Sequence, residues 1–166
     1  MASTYSFDVT TGVDLQEVDN AVNQASKEVA QRYDFKGSTA AIEYKRAEEM
    51  LVLTAEDDFR MTALWDIVQS KLIKRGVPVK NLDVGDTKEA TGSSARKEIK
   101  LKTALDKETA RKVAATIKEA KLKKVQASIQ EDQVRVTAPD KDDLQAAIAL
   151  LRKGDFGVEL QFGNYR

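Results

Sequence analysis

One short segment of this sequence combines cations, aromatic rings and a glycine, which are the residue types that hold phosphates and bases. Its sequence is Arg32-Tyr33-Asp34-Phe35-Lys36-Gly37-Ser38, at the end of the first predicted helix. Cationic side chains pair with phosphate, aromatic rings stack on bases, and glycine lets backbone approach closely. We therefore name Arg32, Phe35, Lys36 and Gly37 as candidate nucleotide-binding residues. The alternative is that the aromatic residues close the core and Gly37 forms a turn.

Four further cations on predicted strands are candidates for phosphate contact. Arg135 is the only cation in the middle of the polar face of its predicted sheet, where it could pair with a phosphate, with Asp8 or with Glu159. A second strand carries a short basic strip that points outward, formed by Arg96, Lys100 and Lys102. We predict that this strip is either a nucleic-acid contact or a solvated strand.

The composition excludes most chemistry that protein side chains perform. Among the 166 residues there is no histidine and no cysteine, which excludes Ser-His-Asp and thiol mechanisms and the usual thiolate or imidazole metal sites. None of the eight glycines falls into a phosphate loop or a dinucleotide-binding triplet. Acidic pairs such as Glu48-Glu49 occupy predicted turns and helix starts. We expect a protein that is not an enzyme, with no catalytic residues, no cofactor and no metal.

The charge balance restricts how the chain could hold an anion. Lysine and arginine together number 27, as do aspartate and glutamate, so binding driven chiefly by counterion release is disfavoured and any anion site must be local. No apolar run approaches the roughly 18 residues of a spanning helix, and no basic segment followed by an apolar one begins the sequence. We therefore expect a cytoplasmic protein without a membrane partner.

Two stretches of the sequence repeat one pattern, and this repeat defines the predicted organisation. Leu51-Val52-Leu53-Thr54-Ala55-Glu56-Asp57 and Val134-Arg135-Val136-Thr137-Ala138-Pro139-Asp140 both run from an alternating strand through Thr-Ala into an acidic helix start. Each is preceded by a helix and a strand and followed by a helix and a strand. The chain is therefore predicted to be a duplication of one β-α-β-β-α-β unit.

The predicted elements place the remaining polar and aromatic residues. Four helices are predicted to start near Asp14, Asp57, Asp106 and Asp140, with Glu17 completing a capping box at the first. The first strand should turn Tyr5, Phe7 and Val9 inward, so the base-stacking aromatics of RNA-recognition domains are absent from the open face. Trp65 is predicted to pack in the core or between the domains, and the alternative is a platform for base stacking. The polar segment 85–94 is predicted to link two domains.

With these elements placed, the chain resembles the YajQ family of bacterial nucleotide-binding proteins from end to end. The motifs that carry this resemblance are Ser6-Phe7-Asp8, the stretch 13–22, Tyr33-Asp34-Phe35-Lys36-Gly37-Ser38, Asp57-Asp58-Phe59-Arg60, Ala63-Leu64-Trp65-Asp66, Gln69-Ser70-Lys71-Leu72, Lys74-Arg75-Gly76, Asp132-Gln133-Val134-Arg135-Val136 and Leu160-Gln161-Phe162. Pro139, a turn position, is the most visible departure from the family pattern.

The resemblance implies an α+β fold with two ferredoxin-like (βαββαβ) domains. Each would have a four-stranded antiparallel sheet with its helices on one face, and the first strands would be exchanged between the domains. The implied N-terminal domain covers residues 11–103 and is completed by a strand at 95–102. The C-terminal domain combines residues 1–10 with 104–166. The residues alone leave a plain tandem arrangement open.

The resemblance also implies a non-enzymatic nucleotide-binding function. The implied ligands are ATP, GTP or cyclic di-GMP, together with tRNA or other RNA, and the implied role is regulatory, through a protein partner. An alternative of a different class is a protein-protein interaction module whose open sheet faces dock another protein, with incidental nucleotide binding.

Overall fold

The computed structural model describes residues 4–37, 39–122 and 124–166. Ser38 of the candidate motif and residues 1–3 of the predicted C-terminal domain lie outside the described residues. In chain order the helices and strands are β1 (Tyr5–Thr10), α1 (Leu15–Gln31), β2 (Ala41–Lys45), β3 (Met50–Ala55), α2 (Asp58–Lys74), β4 (Leu82–Val84), β5 (Lys88–Glu89), β6 (Ala95–Leu101), α3 (Lys107–Glu119), β7 (Gln126–Gln130), β8 (Gln133–Ala138), α4 (Lys141–Lys153) and β9 (Gln161–Gly163). These elements confirm the predicted α+β class with two ferredoxin-like halves.

The chain divides into two units. Unit 1 comprises the residues up to Gly12 together with Thr103–Arg166, and unit 2 comprises Val13–Lys102. In unit 1 the strand order is β7-β8-β1-β9, and in unit 2 it is β2-β3-β6-β4, with β5 also paired to β6. Each sheet is antiparallel throughout.

The central strands of the two sheets, β1 and β6, lie near opposite ends of the segment that forms unit 2. β1 pairs with β8 so that Phe7 lies opposite Val136 and Asp8 opposite Arg135. β6 lies between β3 and β4, with Ile99 opposite Leu51. The pairing is therefore that of exchanged first strands, because β1 precedes unit 2 in the sequence and β6 follows its second helix.

An aspartate caps the start of each helix, as predicted. The carboxylates accept backbone N–H groups two or three residues ahead, at 3.0 Å for Asp14, 2.8 Å for Asp57, 2.7 Å for Asp106 and 2.9 Å for Asp140. The Glu17 carboxylate contacts Asn20 at 3.1 Å and Arg75 at 3.4 Å. Among the described residues the Glu17 carboxylate thus connects α1 to the end of α2, and it does not accept the Asp14 N–H as the predicted capping box requires.

The inward-facing residues of each sheet form the core of their own unit. Phe7 and Val9 are fully buried in unit 1 among residues of α3, α4 and β8, as the alternation of β1 predicts. In unit 2, Leu51, Leu53 and Ile99 pack under α1 and α2. Trp65 is partly buried against this second core, which agrees with its predicted packing role.

The polar segment 85–94 differs from its predicted role as a linker. Gly85 N–H donates to the carbonyl of Glu98 at 2.8 Å, and β5 pairs with the start of β6, with Lys88 opposite Arg96. The segment therefore folds onto the edge of the unit 2 sheet. Small polar residues suit an exposed edge hairpin as well as a linker, so composition could not separate the two.

Candidate functional site

The loop after α1 separates its two aromatic side chains. α1 ends at Gln31, and Tyr33–Phe35 form one turn of 3-10 helix. Phe35 is only 5% exposed and packs in the unit 2 core, whereas Tyr33 is 89% exposed. Phe35 therefore packs in the core, as the alternative hypothesis predicts, and anchors the loop. Tyr33 does not pack in the core.

Arg32 is engaged within the loop. Its Nε and Nη2 donate to the two carboxylate oxygens of Asp34 at 3.0 and 2.8 Å, and its guanidinium lies 5.6 Å from the ring centre of Phe35. These hydrogen bonds raise the pKa of Arg32 and hold the pKa of Asp34 below its ordinary value. Arg32 thus shapes the loop, and Asp34 largely neutralises its charge.

Lys36 has different surroundings from those of Arg32. Its side chain is exposed, and within the described part of the chain no carboxylate lies within 4.0 Å of its ammonium group. The next residue, Gly37, has a φ of +77°, a left-handed backbone that favours glycine. The loop therefore presents the charge of Lys36, with no described carboxylate to pair with it. The adjacent turn at Gly37 would be strained by any residue with a side chain.

Lys36 and Gly37 line a cleft of about 330 Å³ between the second half of α1 and the edge strand β2. The rest of its lining is mostly apolar, formed by Ser26, Val29, Ala30, Phe35, Ala40, Ala41 and Ile42. This volume lies at the lower end of the range for small-molecule sites. The cleft is thus large enough for one base or one phosphate group next to a cation.

The first turn of α2 lies at the same end of unit 2 as this loop. α1 and α2 are antiparallel and equally long, and the contact of Glu17 with Arg75 joins the start of α1 to the end of α2. The charge of Arg60 contributes to the lowered pKa of Asp34, which agrees with this placement. Phe59, next to Arg60, is 81% exposed.

Phe59 and Arg60 are absent from the predicted site. A signal was available, because Phe59 falls off the apolar stripe of α2 formed by Met61, Leu64, Val68 and Leu72. Arg60 itself lies 3.0 Å from Asp57 and 3.7 Å from Glu56. The neighbourhood of the loop therefore contains acids as well as cations.

Arg135 lies in the other unit and is held by an aspartate. Its Nε donates to Asp8 Oδ1 at 2.9 Å, and Asn164 Nδ2 donates to Asp8 Oδ2 at 2.6 Å. Asp8 is 5% exposed, and these donors, Arg135 first, lower its pKa against the opposing effect of burial. Of the three partners considered for Arg135, the structure shows Asp8.

The predicted basic strip on β6 carries acids between and beside its cations. Arg96 lies 3.2 Å from Glu98, and Lys100 is opposite Asp83 on β4. Arg96 and Lys100 line a cleft of about 250 Å³ together with Asp83, Asp86 and Glu98. Lys102 follows the strand, and its backbone exchanges hydrogen bonds with Asn81. The strip is therefore a surface of mixed charge.

In residues 4–37, 39–122 and 124–166, no group of three or more histidine, cysteine, aspartate or glutamate residues is arranged to hold a metal ion. In the same part of the chain, no helix combines the length and the apolar character needed to cross a bilayer.

Comparison with known proteins identifies the family. The two units, each an antiparallel sheet with helices on one face, define a tandem of ferredoxin-like folds. Residues 5–166 match the family model described as "Nucleotide-binding protein YajQ-like", and the chain belongs to this family. Proteins named "Nucleotide-binding protein" from Carboxydothermus hydrogenoformans and Bacillus cereus are 49% identical, and one from Chloroherpeton thalassium is 46% identical, each over 100% of both chains. The resemblance found in the sequence is thereby confirmed.

Proposed function

We propose that the protein binds a nucleotide at the loop of residues 32–37 and releases it unchanged. The observation that carries this proposal is the presence of Lys36 and left-handed Gly37 in the lining of a cleft of about 330 Å³. Within the described residues Lys36 forms no ion pair, and Tyr33, in the same loop, is exposed. The names of the relatives support the same class of ligand. Absence of histidine and of a phosphate loop supports binding without turnover.

Each loop residue has a separate role in this proposal. Lys36 pairs with a phosphate, because no carboxylate within the described residues neutralises it. Tyr33 offers a ring face on which a base stacks. Phe35 anchors the loop in the core, and the bond between Arg32 and Asp34 holds its shape. Gly37 allows the backbone turn that the site needs.

The electrostatics of this site favour a compact ligand over a long polyanion. Asp34, Glu56, Asp57 and Asp58 lie at the same end of unit 2 as the cations Arg32, Lys36 and Arg60. Counterion release therefore contributes little, and binding should depend only modestly on salt. ATP, GTP and cyclic di-GMP are the candidate ligands.

A regulatory role through a partner completes the proposal. Phe59, 81% exposed beside the loop, gives a partner protein an apolar contact close to the ligand. The ligand in the cleft and the partner protein at Phe59 would then contact neighbouring residues of unit 2. Within the alternative interaction-module hypothesis, the same aromatic residues would serve the partner alone.

Calorimetric titration with ATP, GTP and cyclic di-GMP at about 50 and 200 mM salt tests the proposal. We expect saturable binding of at least one ligand, with a dissociation constant that changes little between the two salt concentrations. Absence of binding to the whole panel would favour the interaction module.

Turnover is measured separately. Incubated with ATP or GTP and magnesium, the protein should release no phosphate above the level of trace contamination, because it lacks a phosphate loop and a histidine base. Sustained phosphate release that survives repurification would contradict this expectation.

A further inference from the structure

β7 is an edge strand that lacks the usual protection against pairing. Within the described residues it pairs with β8 alone, so its other edge is open. Edge strands usually carry a charge, a proline or a bulge, each of which hinders pairing with another chain. The sequence of β7, Gln126-Ala127-Ser128-Ile129-Gln130, contains neither charge nor proline, and its register with β8 is continuous. This edge can therefore accept a further strand.

The backbone groups of two β7 residues point toward the open edge. A two-residue turn follows Gln130, which makes Gln130 and Gln133 a hydrogen-bonded pair. Successive residues of an antiparallel strand alternate between bonding one neighbour and bonding the other. Ala127 and Ile129 therefore direct their N–H and C=O groups away from β8, and an added strand would bond to these two residues.

Ile129 is exposed although it lies on the side of the sheet that the helices cover. Its neighbour across the hairpin, Val134, is fully buried, whereas Ile129 is 44% exposed. Among the described residues it lies outside the hydrophobic core of unit 1. An apolar β-branched side chain in this position would be stabilised by a cover that removes it from water.

A cleft of about 460 Å³ opens beside the same strand, between β7 and α3. Its walls are mostly apolar and include Ile117, Leu122 and Ala127. Ala127 lies opposite Val136, which is fully buried, so Ala127 shares the helix-covered side of the sheet with Ile129. The open edge thus presents an apolar projection and, two residues away on the same side, an apolar recess.

The projection and the recess fit each other in a second copy of the chain. When two β7 strands pair antiparallel around Ser128, Ala127 of each copy lies directly opposite Ile129 of the other. Directly opposite side chains share one side of a sheet, so Ile129 of each copy enters the cleft beside Ala127 of the other. The same register joins the backbone groups that point toward the two open edges. A twofold axis relates all of these contacts.

The two ends of β7 carry opposite charges. Lys121 and Lys124 precede the strand and Glu131 and Asp132 follow it, and all four side chains are exposed. Among the described residues none of the four takes part in an ion pair. Antiparallel pairing of two copies brings the basic end of each β7 beside the acidic end of the other. The charges of this edge are therefore complementary to a second copy of the same edge.

The equivalent edge strand of unit 2, β2, lacks both features. The repeat places Glu43 of β2 where β7 has Ser128, so the same register would bring two Glu43 carboxylates together. Tyr44 takes the place of Ile129, but it packs against the unit 2 core, and its hydroxyl donates to the Leu15 carbonyl at 3.3 Å. Self-complementarity is therefore a property of the β7 sequence and not of the fold.

We propose that the protein forms a homodimer in which two β7 strands pair antiparallel around Ser128. The pairing joins the unit 1 sheets of two copies into one continuous sheet, and Ile129 of each copy fills the cleft between α3 and β7 of the other. The cleft is thus completed by the second copy. This proposal goes beyond nucleotide binding and uses residues of unit 1 only.

Sedimentation equilibrium of the full chain, between about 5 and 500 µM, tests the proposal. We expect a monomer–dimer equilibrium with a dissociation constant on the order of 100 µM, because one strand pair with two side-chain contacts covers less than a standard interface. A single monomeric species over the whole range would overturn the proposal.

Ile129→Thr removes the apolar projection and keeps a β-branched residue in the strand. The dimer dissociation constant should rise roughly tenfold or more, since two side chains lose their apolar contact in each dimer. The matched control is Val84→Thr, at a residue that is 40% exposed on the edge strand β4 of unit 2. The control should dimerise as wild type does. Equal dissociation constants for the two variants would exclude Ile129 from the contact and overturn the proposal.

Charge exchange at Ser128 tests the register and separates association from folding. Ser128→Glu and Ser128→Lys each place two like charges opposite one another at the twofold axis, so each variant should be monomeric on its own. An equimolar mixture of the two should dimerise, because opposite charges then face each other, and this recovery shows that both variants fold. A mixture that stays monomeric while circular dichroism shows two folded proteins would overturn the proposal. Variants that each dimerise as wild type does would place the association on another surface and overturn it equally.

Discussion

Lys36 and Arg135 carry the same formal charge in different surroundings. Asp8 holds Arg135 through a hydrogen bond of 2.9 Å, whereas no carboxylate of the described residues lies within 4.0 Å of the Lys36 ammonium group. A cation already paired with a buried carboxylate gains little from a phosphate, because a strong interaction must be given up first. These surroundings support the proposal that Lys36 contacts the ligand, and they predict that Arg135 contributes to folding.

Replacing Lys36 tests this assignment for the ligand. Lys36→Ala should weaken nucleotide binding by about 1–3 kcal/mol, the range for a hydrogen bond with a charged group. Because Lys36 is exposed, the free energy of unfolding should change little. The matched control is Lys27→Ala, an exposed lysine on α1. Equal affinities for both variants in calorimetry would place the site elsewhere.

Replacing Arg135 should affect stability. Arg135→Ala leaves the carboxylate of Asp8, 5% exposed, without its charged partner, so we expect a loss of about 2–3 kcal/mol in the free energy of unfolding. Nucleotide affinity should stay at the wild-type value. Denaturant titration and calorimetry measure the two quantities. An Arg135→Ala variant of normal stability but weakened nucleotide binding would reverse the assignment.

The same pair predicts how stability depends on pH. The pKa of Asp8 is lowered in the folded state, so the unfolded chain takes up a proton at Asp8 more readily. The contribution of Asp8 is therefore complete above its ordinary pKa of about 3.9 and is lost as pH falls through the lower folded value. Denaturant titrations across this acid range should show a shallower decline for Asp8→Asn than for wild type. Identical slopes would contradict the prediction.

The individual residues differ in how far the sequence could predict them. The four capping aspartates were predictable, since a cap depends on the next three residues alone. The partner of Arg135 was not, because it depends on the register between strands that lie 127 residues apart. The contrast between buried Phe35 and exposed Tyr33 depends on how the loop meets the core, which local patterns do not contain.

At the scale of the elements, the repeated stretches occupy equivalent positions. β3 and β8 each end in a buried alanine, Ala55 and Ala138, and each is followed by the aspartate that caps the next helix. Such repeats were predictable because strand alternation and helix caps are local signals. The hairpin formed by β5 and β6 was not, since its small polar residues suit a linker as well as an exposed edge strand.

Asp57 allows a test of one such element. Its carboxylate accepts the Arg60 N–H at 2.8 Å and also contacts the Arg60 side chain at 3.0 Å. Asp57→Ala should therefore lower the free energy of unfolding by about 1–2 kcal/mol, the upper part of the range for a lost cap. Asp57→Asn, which can still accept the backbone hydrogen bond, is the matched control and should recover most of the loss in denaturant titration. Equal losses for both would exclude the cap as the cause.

At the scale of the whole molecule, unit 2 is one continuous segment, whereas unit 1 is formed by two segments that lie on either side of it in the sequence. Residues 13–102 contain the complete unit 2 sheet, so we expect this fragment to unfold cooperatively as a monomer. Residues 1–85 lack β6, the strand between β3 and β4, and carry an unpaired β1, so they should fold poorly or associate. Circular dichroism and size-exclusion chromatography compare the two. A stable, cooperative monomer of residues 1–85 would contradict the strand pairing.

The pairing of β1 has a consequence for synthesis on the ribosome. Unit 2 is an insertion within unit 1, and the chain leaves and re-enters unit 1 at neighbouring points, since a Cβ on Gly12 would lie 3.8 Å from the Thr103 carbonyl oxygen. Translation therefore delivers β1 long before β8 and β9, its partners in the sheet. At 5–20 residues per second, this strand waits on the order of ten seconds. During that time its apolar side, which includes Phe7 and Val9, is a substrate for chaperones, while unit 2 has all its strands once Lys102 has emerged.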